Sequence, residues 1–217
     1  MSKSVAERSA ASQAMIDAAA KGRALMGGTT AMRAAGTVYL PKFEAESYIA
    51  YESRLMSSWL FNGYRKTVKD MTGRVFDKPV ELAEDAPQRI REWSENIDLA
   101  VRDLSTFARD IFQDGLQAGV SYIMVDAPPR QEVTTRAQAN TSNLRPYFSH
   151  LSAEDVLGWR AESINNVMTL TQIRIFETVQ ERDPKDEFKD LQIKQVRVMD
   201  KTDDGVMTRL YRENDAG

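Results

Sequence analysis

The stretch that most constrains this chain is Gly119-Val120-Ser121-Tyr122-Ile123-Met124-Val125-Asp126-Ala127-Pro128-Pro129. A run of β-branched and aromatic residues, opened by glycine and closed by Asp-Ala-Pro-Pro, has the composition of a buried strand with a hard stop. The text before it carries helical periodicity and the text after it mostly strand periodicity. The expected class is therefore α+β, with an N-terminal helical region packed on a C-terminal, mostly antiparallel sheet.

Ser4-Val5-Ala6-Glu7 has the form of a capping box, and the alanine-rich text after it predicts a helix from about residue 5 to 25, stopped by Gly27-Gly28. Its apolar positions Met15, Ile16, Ala19, Leu25 and Met26 form a thin stripe, which suits a helix lying against a partner. Gly36 to Lys42 reads as a short extended piece because a residue before proline is pushed out of the helical region. From Glu44 to Phe61, residues Tyr48, Tyr51, Leu55 and Trp59 recur every three or four positions, widened by Ile49, Met56 and Leu60. Asn62-Gly63 ends that helix, and another runs from Tyr64 to Val75 with Val68, Met71 and Val75 inward. Residues 80 to 102 carry one or two helical turns around Ile90 and Trp93.

The clearest helix is Leu104 to Ala118, capped by Asp103 or Ser105, with Leu104, Phe107, Ala108, Ile111, Phe112 and Leu116 on one face. Gly119 stands where a helix end wants a left-handed residue. Beyond Pro129, Arg130 to Asn143 is polar and aperiodic and reads as a long loop. Arg145 to Leu151 reads as a strand, Ser152-Ala153-Glu154-Asp155 as the cap of a single helical turn through Val156, and the remainder as three strands. These are Met168 to Val179, Leu191 to Val198 and Val206 to Arg212, separated by turns at Asp183-Pro184-Lys185-Asp186 and Asp203-Asp204-Gly205, in an antiparallel meander. Along the sequence this gives an arm (1–36), a helical part (37–118) and a β-rich part (119–217).

Bulk properties narrow the function classes. A chain of 217 residues can bury roughly 70% of its extended surface, so a real core is possible. The formal net charge of −3 and a pI near 5.4 argue against a surface that grips nucleic acid tightly. The absence of cysteine excludes disulfides and thiolate metal sites and permits a cytosolic location. No apolar run approaches the roughly 18 residues of a membrane span.

The familiar chemical motifs are missing. Gly27-Gly28-Thr29-Thr30 lacks the lysine of a phosphate loop, and no Gly-x-Gly-x-x-Gly occurs. His150 is the sole histidine and reads as decoration on a strand, which leaves no multi-histidine metal site and no Cys–His pair. Asp200 to Gly205 has alternate carboxylates before a glycine, but Thr202 and Tyr211 stand where a calcium loop needs acids. Tyr64-Arg65-Lys66 with Lys69 reads as the wet face of a helix, and Asp183, Asp186 and Glu187 as solvated turn residues. No catalytic, cofactor-binding or metal-ligating residue is expected, and no cofactor.

Several stretches taken together resemble the portal proteins of tailed bacteriophages. They are Tyr39-Leu40-Pro41-Lys42; Thr67-Val68 through Val75-Phe76-Asp77-Lys78-Pro79; and Phe107 to Gly119 feeding Tyr122-Ile123-Met124-Val125-Asp126-Ala127-Pro128. The series continues in Arg145-Pro146-Tyr147, Leu151 through Trp159-Arg160, and Leu170 to Arg174, in matching order and spacing. Each piece is generic; the ordered set over residues 39–174 carries the resemblance. It covers the family's N-terminal arm and wing, and the stem, clip and tunnel loop would lie beyond Gly217.

The resemblance implies a non-enzymatic subunit of a homo-oligomeric ring, dodecameric in the family, at one capsid vertex of the virion, assembled in the bacterial cytoplasm. It implies as partners other copies of the chain, the major capsid or scaffolding protein, the terminase large subunit and a head-completion or adaptor protein. Double-stranded DNA would pass through the channel without sequence-specific binding, with no membrane involved, and no DNA-contacting residue can be named. Two rival readings stand beside it: a capsid-associated adaptor or protein-binding module that forms no ring, and a carboxylate-dependent hydrolase using Asp126.

Overall fold

A computed structural model describes residues 3–127 and 144–212, and the fold is α+β as expected. Contacts gather the chain into two compact units, Ala18–Leu151 and Met1–Asp17 with Ser152–Gly217. The sequence segments 1–36 and 119–217 each contribute to both units. The expected loop from Arg130 to Asn143 and the residues after Arg212 lie outside the described residues.

The sheet unit is a four-stranded antiparallel meander of β3 (Val156–Ile164), β4 (Val167–Arg182), β5 (Asp190–Thr202) and β6 (Gly205–Arg212). The last three strands and both expected turns are where the alternation put them. The helical turn expected at Ser152–Val156 does not form: Asp155 accepts from the Ser152 backbone N–H at 2.8 Å and the Ser152 hydroxyl at 2.7 Å, closing a turn that launches β3 instead. β3 went unread in the sequence. Its hairpin to β4 turns on Asn165-Asn166, both at positive φ (52° and 63°), as a two-residue primed turn between paired strands requires. Leu157, Val196 and Val198 form the core, with Val5, Phe176 and Tyr211 packed against it.

The N-terminus belongs to this unit, and it breaks the helix expected from residue 5. Helix α1 is only Lys3–Ala6, and α2 begins at Ala10. The carbonyls of Ser4 and Val5 in α1 and of Glu7 just beyond it accept from the Arg174 guanidinium at 2.8–3.0 Å, and Ser9 donates its backbone N–H to the Leu157 carbonyl. Arg8 donates to the Glu154 and Val156 carbonyls and to the Ser12 hydroxyl. Bonds across the sheet edge thus replace the i→i+4 bonds that a continuous helix would make.

The second unit holds the rest of α2 (Ala10–Ala34), a 3₁₀ turn at Gly36–Val38, α3 (Tyr48–Ser57), α4 (Gly63–Val75), α5 (Gln88–Ser94), α6 (Leu104–Ala118) and the antiparallel pair β1 (Tyr122–Asp126) and β2 (Tyr147–Leu151). Gly27-Gly28 stops the first helical stretch as expected, and a second stretch resumes beyond the break within the span of α2. Gly28 takes φ 73° and ψ −156°, a region only glycine enters cheaply, and the break costs the preceding turn its helical donors. Two side chains of the next segment replace them: Asn62 Nδ2 donates to the Leu25 carbonyl at 2.6 Å and Arg65 Nε to the Met26 carbonyl at 2.8 Å. Arg65 is thus a structural clamp, whereas its neighbour Lys66 stays in water, paired with Asp70.

Other local expectations are corrected. Gly36–Val38 is a 3₁₀ turn rather than an extended piece, since Gly36 at φ 53° starts a tight turn whose carbonyl accepts from Leu40 N–H at 2.9 Å. α3 is shorter than read and buries only Tyr51 and Leu55; Tyr48, Ile49, Met56 and Trp59 are exposed. Asn62, read as a terminator, instead caps α4 through Oδ1, which accepts from Arg65 N–H. α4 turns Val68 and Thr72 inward and leaves Met71 and Val75 exposed. α6 spans the residues expected, with Asp103 as its cap and Gly119 at φ 79° closing it. The strand after it is not buried on both faces, because it has one partner strand and leaves Ile123 and Val125 open.

Helices α2 and α6 approach so closely that a Cβ on Gly22 would sit 2.2 Å from the Gln117 carbonyl oxygen. That oxygen is backbone and cannot rotate aside. Gly22→Ala is expected to cost about 1–3 kcal/mol, as overpacking of a tight contact does; thermal melts would check it, and an unchanged midpoint would refute the close approach.

Candidate functional site

The residues of the portal-like signature fall at three places. Gly119, Tyr122, Val125, Asp126, Arg145, Pro146 and Tyr147 gather around the two-stranded sheet; Tyr39, Leu40, Pro41 and Lys42 lie ahead of α3; Trp159 and Arg160 are on β3. Pro128 lies outside the described residues. At the sheet, Asp126 faces Tyr147 in register, and the tyrosine hydroxyl donates to Asp126 Oδ2 at 3.2 Å while Oδ1 accepts from Ala127 N–H at 2.8 Å. Both oxygens of this strand-end carboxylate are thus engaged within the two-stranded sheet and the turn after it. Arg145 donates to the Asn96 carbonyl and lies 5.8 Å from the centre of the Trp93 ring, whose other cationic neighbour is Arg89 at 4.6 Å. Burial pulls the Arg145 guanidinium below its ordinary pKa.

Ahead of α3, Tyr39 and Leu40 line a shallow apolar groove of about 130 Å³ with Met32, Leu55, Trp59 and Leu60. The Pro41 carbonyl accepts from Arg54, and Arg54 also holds Glu46 through two bonds of 2.8 Å. That bidentate pair lowers the Glu46 carboxyl to about 2. A depressed carboxyl contributes stability above its unfolded value and loses it as pH falls through the folded value. The Glu46 carboxyl is therefore expected to stay ionised down to near pH 2, followed by NMR titration; titration in the ordinary glutamate range would refute the pairing.

One polar cluster was invisible in the sequence reading. His150 is on a strand as expected, but it does more than decorate it: its Nε2 meets the Ser121 hydroxyl at 2.8 Å and Asp114 Oδ2 at 3.2 Å. Asp114 is buried on α6 and its other oxygen accepts from Arg23 of α2, which also reaches Gln117. Serine, histidine and aspartate suggest acyl transfer until the atoms are compared. A catalytic triad places the hydroxyl on one ring nitrogen and the carboxylate on the other. Here both converge on Nε2, so the imidazole cannot relay a proton between them, and Arg23 already neutralises the acid. The cluster ties α2, α6, β2 and the Ser121 turn together. Its signal in the sequence was Asp114 itself, an acid on the same helical face as Phe107, Ile111 and Ala118.

No group of three or more acids or histidines among the described residues is placed to hold a metal. No described helix is long and apolar enough to cross a membrane. No protein-family model matches the chain, and no curated protein matches it.

Proposed function

We propose that the chain is the arm and wing of a phage portal subunit: a structural, non-enzymatic component of a ring at one capsid vertex through which DNA is packaged and ejected. The ordered series of portal-like stretches from Tyr39 to Arg174 carries this reading. The chemistry of the polar residues is consistent with it, since the Asp126 carboxylate and the Ser121–His150–Asp114 cluster are both committed to holding elements together. A net charge of −3 suits a conduit that passes DNA without gripping it. Its partners are then other copies of the chain, the capsid or scaffolding protein, the terminase large subunit and a head-completion protein.

Immunogold labelling of phage particles that carry this gene tests the reading. Label confined to the one vertex where head meets tail is expected. Label spread over the capsid or along the tail, or none on the particles, would overturn it.

A further inference from the structure

Residues 4–9 lie along the start of β3 and are held there by polar bonds. Arg174 Nη1 donates to the Ser4, Val5 and Glu7 carbonyls at 2.8–3.0 Å, so a single side chain holds three acceptors. Arg8 donates to the Val156 and Glu154 carbonyls at 2.7 and 2.6 Å, and the Ser9 N–H to the Leu157 carbonyl at 2.8 Å. β3 is the end strand of the four-stranded sheet, where backbone groups are otherwise open to pairing. The seat is shaped for the segment: a Cβ on Gly158 would stand 2.9 Å from the Ser9 hydroxyl oxygen and 3.0 Å from Arg174 Nη2.

Little apolar burial backs these bonds. Val5 packs against the Leu157–Val196–Val198 core but is only half-buried, and Ser4, Ala6 and Glu7 are exposed. The four residues of α1 are too few to hold a helix without support. Ser12, in contrast, is 1% exposed and its hydroxyl donates to the Val156 carbonyl, which fixes the next turn of chain. Val196 and Val198 are buried on β5, which has a partner strand on either side. A segment with few buried apolar contacts opens by itself, at a lower cost than the elements beneath it.

We propose that residues 4–9 form a strap that opens and closes as a unit over the edge of β3, with Arg174 as its catch and Ser12 as its fixed end, while the sheet stays folded. Closed, the strap occupies the carbonyls of Glu154, Val156 and Leu157. Open, it returns them to solvent as an unpaired strand edge. The fold thus carries its own control over whether the start of β3 is free to pair.

Hydrogen exchange of the full chain followed by NMR tests the strap, with the Ser9 amide reporting on the strap and the Val196 amide on the sheet. The Ser9 amide is expected to be protected, but at least about a hundredfold less than that of Val196. Arg174→Gln removes the catch and should lower Ser9 protection about tenfold or more, with Val196 unchanged. Gly158→Ala pushes on the Ser9 side chain from the strand and should lower Ser9 protection selectively too. Equal protection at the two amides in wild type would overturn the proposal, because the segment would then open only with the sheet. An unprotected Ser9 amide would overturn it as well, since the strap would not close. So would a loss at both amides in both variants, or Ser9 protection that neither variant moves.

Discussion

Phe107→Ala is expected to lower the unfolding free energy by about 3–5 kcal/mol, the usual cost of emptying a buried phenylalanine site. Phe107 is 1% exposed on the inner face of α6, with its ring 5.9 Å from that of Phe148 on β2. The same helix holds Phe112 edge-on against Phe76 at 5.6 Å, just beyond α4. Truncation removes a side chain that packs α6 against the two-stranded sheet. In a chain of this size the thermal midpoint should fall by about 10 °C. Phe107→Leu, which keeps most of the volume, should recover more than half of the loss. A change below about 1 kcal/mol for the alanine variant would mean that α6 is not the core element described here.

Asp114→Ala should cost about 2–3 kcal/mol for a different reason. It strips from Arg23 and His150 the carboxylate that both meet, and a buried cation without its acceptor is what makes broken ion pairs expensive. The value falls below the 3–5 kcal/mol of a fully buried pair because the Arg23 side chain is 28% exposed and water can reach it. A double-mutant cycle with His150→Ala should give a coupling energy of about 0.5 kcal/mol or more. Additive effects would show that the carboxylate and imidazole do not act together. Ser121→Ala is the mildest change in the cluster, since it removes one neutral hydrogen bond worth about 1 kcal/mol.

What could be read from the sequence was local. The cap at Asp103, the apolar stripe from Leu104 to Ala118 and the left-handed Gly119 fix α6 to the residue, because each signal acts within one or two turns of chain. The last three strands follow from period-two alternation between two turn sequences. β3 was missed: Asn165-Asn166 suits a primed hairpin turn, but the signal at Ser152-Ala153-Glu154-Asp155 reads equally well as a helix cap. The same ambiguity hid the role of Asn62, which follows one helix and caps the next.

The sequence by itself determined the α+β class, the position of α6 and the last three strands of the meander, since these depend on periodicity and order along the chain. Tertiary structure decided where the polar residues go. Arg174 and Arg8 draw the N-terminus onto the edge of a sheet that begins some 150 residues later, stopping a helix that its own alanine-rich text would have continued. Arg65 and Asn62 repair the kink at Gly28, and His150 shares Asp114 with Arg23. Each of these is a hydrogen bond between residues distant in sequence, and its energy depends on atoms meeting within about 3 Å. Helical and strand periods say which face a side chain occupies, but not what waits for it there.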